Sequence, residues 1–215
     1  MDFNKLLDEA HAVRAFTSEQ VPENTLRDII QEALNAPSWM NAQERKVYIA
    51  TGETATAIRQ EYAALAAAKT PDRGAYPMGH HSDWSQAAQK NMAFFQETAG
   101  RVMGDQIEAL NRAENELFDA PAFALLTLPL KPAPWGILDL GAFEEAIVLS
   151  AANCGVSSIV AYAFTKYPDV VRKYIKIPES ENIVIGIGLG YKDPEARINQ
   201  IHAGRVPLED VLTIN

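Results

Sequence analysis

The stretch from Leu138 to Asn153 constrains this chain more than any other. It is apolar almost all round, interrupted by Asp139, Glu144, Glu145 and Ser150. A helix without a polar face must be buried on more than one side. Two arrangements satisfy that demand, a central helix within one subunit or a helix at an interface between two. The run Asn182–Leu189 adds a second constraint, because continuous apolarity over so short a length marks an interior strand of a sheet.

A chain of 215 residues with 47% apolar and 22% charged side chains can bury one substantial core. Its formal net charge is -9. Gripping a phosphate backbone takes clustered Lys and Arg, so nucleic acid is excluded as a partner, and anionic membrane surfaces on the same ground. No stretch reaches the ~20 apolar residues of a membrane span. The start, Met1-Asp2-Phe3-Asn4-Lys5, lacks the basic and apolar regions of a secretory signal, and a cytoplasmic protein is expected. The single cysteine, Cys154, lies in an apolar run and reads as a buried structural thiol.

Helices are predicted over Phe3–Ala10 and Thr25–Asn35, the latter with Leu26, Ile29, Ile30, Ala33 and Leu34 on one stripe. A strand follows at Arg45–Thr51, then an Ala-rich helix at Glu53–Lys69. Thr70–Trp84, with Pro71, Gly74, Pro77 and Gly79, is a loop; its adjacent His80 and His81 cannot both face one metal from a regular element. Gln86–Leu117 is polar and helical, with a break near Gly104. Strands at Ala122–Leu128 and Val156–Ala161 flank a loop at Lys131–Gly136 and the apolar helix; a last helix spans Pro168–Ile175. Helices and strands alternate without a regular rhythm, which favours an α+β fold with a central mixed β-sheet covered by helices.

Gly186-Ile187-Gly188-Leu189-Gly190 resembles a dinucleotide loop only superficially. The glycines lie inside a strand, and Tyr191-Lys192-Asp193-Pro194 cannot open a helix behind them, so small residues in a crowded strand are the better reading. More informative are His11-Ala12-Val13-Arg14-Ala15-Phe16, Ala36-Pro37-Ser38-Trp39-Met40-Asn41-Ala42-Gln43 and Arg205-Val206-Pro207-Leu208-Glu209. Singly, Arg14 and Arg205 are ordinary surface charges, and Asn41 and Gln43 ordinary turn residues.

Their order and spacing together resemble the nitroreductase family of flavin enzymes. That family has a segment like Arg-Arg-Ser-Val-Arg-x-Phe where this chain has Ala10–Phe16, then Val21-Pro22, and Ala-Pro-Ser-Ser-x-Asn-x-Gln where it has Ala36–Gln43. Phe118-Asp119-Ala120-Pro121, Asp139-Leu140-Gly141, Ile185–Tyr191 and Arg205–Glu209 extend the likeness over nearly the whole chain. One domain, residues 1–215, is expected, with a helical and loop insertion at about 70–117 like that of the nitrobenzoate-reductase-like branch.

The resemblance implies a domain-intertwined homodimer with FMN bound at two sites between subunits, NAD(P)H as co-substrate and a small aromatic electron acceptor. It places His11, Ala12 and Arg14 at the phosphate, ribityl chain and pyrimidine edge, Ser38, Trp39 and Asn41 near the flavin, Tyr162 and Ala163 along the ring near N5, and Arg205 on the phosphate. Trp39, where the family has serine, is either an aromatic wall for the acceptor or a core anchor. Ala10, Ala12 and Ala203 stand where the family carries arginine, serine and a basic residue. Each lost guanidinium contact to a phosphate costs about 1.5–3 kcal/mol. His11, Arg205 and Arg112 are the cations available to compensate. The implied activity is hydride transfer from NAD(P)H through flavin N5 to nitroaromatic or quinone-type acceptors, by a ping-pong mechanism. The alternative is a flavin-binding or carrier protein of the same fold with weak or no redox activity. No side chain is assigned as catalytic acid or base.

Overall fold

Four strands carry the sheet in the computed structural model, which describes residues 2–77 and 79–215. They are β1 (Lys46–Thr51), β2 (Ala122–Pro129), β3 (Ser157–Ala161) and β4 (Glu181–Gly190). Their spatial order is β1-β2-β4-β3, and each pair runs antiparallel. Parallel character enters at one bridge, between Ala12 and Ser158 beside β3.

Strand β2 explains why helices must cover both faces. Its even residues Ala122, Ala124, Leu126 and Leu128 pack into one cluster, and Phe123 and Leu125 into another, as the two-residue period of a strand dictates. The glycines of β4 are where other side chains press on the sheet. A Cβ at Gly186 would sit 2.3 Å from Phe164 Cβ, and one at Gly190 2.7 Å from Pro121 Cδ. The glycine run is therefore a packing feature.

Among the described residues seven α-helices surround this sheet: α1 (Phe3–Glu9), α2 (Glu23–Ala33), α3 (Gly52–Ala67), α4 (Gln86–Met103), α5 (Glu108–Asn115), α6 (Pro134–Asn153) and α7 (Pro168–Tyr174). The polar helical stretch breaks at Gly104, whose φ of +56° suits glycine, and α4 ends there. Helix α6 begins four residues before its expected start. Pro134 stands in its first turn, where the missing N–H costs nothing, so the predicted loop residues Trp135 and Gly136 are helical.

Leu140, Phe143, Ile147 and Ala151 of α6 pack with Leu26, Ile29 and Ala33 of α2 on one face of the sheet. Ile58 and Tyr62 of α3 and Val171 of α7 pack on the other. Helix α6 is thus central within the subunit along most of its length, yet Ile137 and Leu138 at its start remain 44% and 63% exposed. A third cluster joins Ala99 and Met103 of α4 to Ile198 and Ile201, with Ala15 and Phe95 packed against it. No described helix is long and apolar enough to cross a membrane.

Candidate functional site

After α1 the chain runs in extended form past the start of β3. Val13 N–H donates to Ser158 O at 2.9 Å, and Val13 and Phe16 are buried. Those two anchors leave Ala12 exposed and Arg14 half-buried beside them. A buried asparagine, Asn199, fixes the segment. Its Oδ1 accepts from Arg14 N at 2.7 Å and Ala15 N at 3.0 Å, while its Nδ2 donates to Ala15 O at 2.8 Å and Asp193 O at 3.0 Å.

Arg14 Nη1 donates to Ala12 O and Ile201 O, each at 3.3 Å, and the guanidinium lies 5.5 Å from the centre of the Phe95 ring. Burial pushes its pKa down from the ordinary arginine value, but an arginine stays cationic at neutral pH. The chain that Arg14 grips at Ile201 is buried there and exposed from His202 onward. Arg205 donates to its neighbours' carbonyls, Ala203 O and Gly204 O, both at 3.1 Å. Gly204 lies against Phe94, whose Cε1 is 3.2 Å from where a Cβ would stand. Helix α4 thus touches the Arg14 guanidinium through Phe95 and the chain beside Arg205 through Phe94. Among the described residues no ion pair engages either arginine.

His11 Nδ1 lies 3.0 Å from Asp8 O, its ring is 5.3 Å from that of His202, and its buried Nε2 has no partner. Arg112 lies instead in a groove with Ala63, Ala67, Glu108 and Glu116, along α3.

The second predicted segment occupies a loop after α2. Ser38 Oγ accepts from Gln43 N at 3.3 Å, and Asn41 Oδ1 accepts from Gln43 Nε2 at 2.6 Å. Met40, Asn41 and Gln43 all have positive φ, a strained backbone for residues other than glycine. Trp39 N donates to Asp139 Oδ2 at 2.9 Å, and its ring stacks on that of Trp135 at 5.1 Å and 15°. Both rings are about half exposed, so Trp39 is not a core anchor. Among the described residues no hydrogen bond, ion pair or ring contact joins this loop to His11, Arg14 or Arg205.

Tyr162 and Ala163 open a short 3-10 turn after β3. Ala163 is buried, and the Tyr162 hydroxyl donates to the Asp72 carboxylate. The loop after α3 thereby packs on this turn, with Arg73 N also donating to Lys166 O at 2.9 Å. Cys154 is half-buried rather than fully buried as expected, and burial first, then Glu32 and Asp28, pushes its thiol pKa up. Asn199, Asp72 and His202 join these segments without having been expected from the sequence. Asn199 carries no periodic or motif signal, since its partners lie up to 185 residues away.

The chain matches the model of the nitroreductase family over residues 7–191 and belongs to that family. It is 27% identical over 219 residues to a 4-nitrobenzoate reductase of Nocardioides sp. (strain LMS-CY), covering 98% of this chain and 89% of the relative. A 4-nitrobenzoate reductase of Pseudomonas putida is 26% identical over 217 residues, covering 95% of this chain and 91% of the relative. Among solved structures, the FMN-dependent nitroreductase NfnB from Mycobacterium smegmatis, in complex with NADPH, superimposes with a TM-score of 0.90 over all of both chains at 23% identity. The FMN and NADPH-dependent nitroreductase NfnB from Sphigopyxis sp. strain HMH gives 0.89 at 21% identity, over 100% of this chain and 99% of that one. The fold is therefore the nitroreductase fold. The family match takes in the segments around Arg14, Asn41 and Tyr162, and ends before His202 and Arg205.

Proposed function

We infer that this chain is an FMN-dependent oxidoreductase that uses NAD(P)H to reduce nitroaromatic or quinone-type acceptors. The observation that carries the reading is Arg14, its segment pinned by Asn199 and its guanidinium unpaired with any described carboxylate, within the nitroreductase fold. The names of the relatives point the same way, to nitroaromatic reduction with FMN and NADPH. FMN held there would supply the redox chemistry, a hydride-accepting flavin N5 between NAD(P)H and the acceptor.

The residues fit such a group. Arg14 spends Nη1 on two carbonyls and keeps other N–H groups to offer. Held on those carbonyls and on the Phe95 ring, it is a fixed cation that needs no reorganisation when negative charge develops beside it. Arg205, exposed and tied only to its own neighbours, presents a planar fork suited to phosphate oxygens. His11 and exposed Ala12 line the same segment, and Tyr162 and Ala163 bound the far end of β3. Ser38, Trp39 and Asn41 are assigned to the flavin from the partner subunit, because within one chain nothing ties their loop to Arg14.

A homodimer is supported by the apolar surface of the single chain. Val206, Leu208, Val211, Leu212 and Ile214 are 42% to 84% exposed, more than a lone soluble chain ordinarily shows in one segment. A groove between α2 and β1, lined by Leu26, Ile30, Leu34, Val47 and Ile49, offers an apolar seat beside the unpaired edge of β1. We propose further that residues 1–215 form one domain, with 70–117 as an insertion that buttresses the site through α4, acting in the cytoplasm.

Because hydride donor and acceptor would occupy one place in turn, steady-state kinetics should give the parallel lines of a ping-pong mechanism; intersecting lines would contradict the shared site. Titration of the apoprotein with FMN tests the binding residues. Arg14→Ala and Arg205→Ala should each weaken FMN by about ten- to a hundredfold, the worth of one charge-assisted contact. Unaltered affinity in both variants would overturn the assignment. A wild-type protein that takes up FMN but is not reduced by NADH or NADPH would be the non-redox carrier, the reading favoured by Ala10, Ala12 and Ala203.

A further inference from the structure

His202 stands outside the matched family segment, on the exposed chain between buried Ile201 and Arg205. Its ring lies 5.3 Å from that of His11, tilted by 49°. The Asp8 carbonyl can only accept, so the 3.0 Å contact requires the proton on His11 Nδ1. The Nε2 of the same ring is buried without a partner. A neutral ring leaves it a stranded lone pair; a cationic ring makes it a donor that needs an acceptor. Arg14 Nη1 bonds Ile201 O, the carbonyl just before His202, and Arg205 follows His202 by three residues; on the α1 side the Asp8 carbonyl meets His11. No carboxylate of the described residues hydrogen-bonds or pairs with either imidazole.

We propose that His202 is a phosphate ligand of the bound mononucleotide, acting with His11 and Arg205 in place of the cations absent at Ala10 and Ala203. The inference rests on the FMN reading above. A phosphate held beside the pair would supply the acceptor that a donor at His11 Nε2 lacks.

The test titrates apoprotein with FMN and, in parallel, with riboflavin, which lacks the phosphate, following flavin fluorescence. His202→Ala should weaken FMN about tenfold and leave riboflavin untouched. His202→Lys, which keeps a phosphate donor at that position, should restore tight FMN binding. Unchanged FMN affinity in His202→Ala, or an equal loss for FMN and riboflavin, would overturn the proposal while leaving the flavin reading intact. Failure of wild type to bind either flavin would overturn the flavin reading itself.

Discussion

Replacing Asn199 by alanine removes four hydrogen bonds of 2.7 to 3.0 Å made by a side chain that is 2% exposed. The N–H groups of Arg14 and Ala15 and the carbonyls of Ala15 and Asp193 lose their partner together. A buried polar group left unpaired costs about 1–3 kcal/mol. Arg14 and Ala15 are half-buried, so water recovers part of that cost, and the expected total is about 3 kcal/mol, or roughly two decades in the folding equilibrium. Urea unfolding of the apoprotein reads this directly, at one fixed protein concentration because association shifts apparent stability. The midpoint should fall with the slope unchanged. Both FMN and riboflavin affinities should fall as well, because Asn199 holds the Arg14 segment against the chain that leads to Arg205. A stability loss below about 1 kcal/mol would refute the reasoning, since even one net hydrogen bond accounts for that much.

Further outcomes follow from the packing and the charges. Gly186→Val should destabilise by about 3 kcal/mol or more, because its Cβ alone would stand 2.3 Å from Phe164 Cβ; a midpoint within experimental error of wild type would contradict the packing role. Glu181 is buried: burial raises its carboxyl pKa, but hydrogen bonds from Lys46, Thr127 and Tyr48 outweigh that and hold it below the ordinary value. A depressed carboxyl stabilises the fold above the unfolded value of about 4.3 and loses that contribution as pH falls through the folded value. Glu181→Gln should therefore cost about 1–2 kcal/mol at pH 7 and converge on wild type near pH 3 in urea melts; parallel losses at both pH values would contradict it. Removing residues 206–215 should convert a dimer to a monomer in light scattering, and a truncated chain that still dimerises would exclude the exposed tail as the seam.

What the amino-acid pattern made legible was local burial. The stripe through Leu26, Ile29 and Ala33 gave α2, and the apolar run of β2 gave an interior strand, because both report one element against one neighbour. The glycines of β4 were readable as crowding since no helix could open behind them. Arg14 and Arg205 were findable from motif spacing. The clamp between their segments was not: Asn199 bonds across 185 residues of sequence, and a single asparagine in a polar run has no period to betray it. The stack of Trp39 on Trp135 is hidden for a related reason, since the prolines around Trp135 suggest a loop whereas the ring is carried on the first turn of α6. The facing of His202 on His11 likewise depends on where the chain turns after Ile201.

Anaerobic reduction of the FMN-loaded protein bears on the whole account at once. The account expects a yellow protein whose flavin absorbance bleaches on adding NADH or NADPH and returns, in stoichiometric amount, on adding a nitroaromatic acid or a quinone. A purified chain that stays colourless after incubation with FMN and consumes neither nicotinamide nucleotide would contradict it.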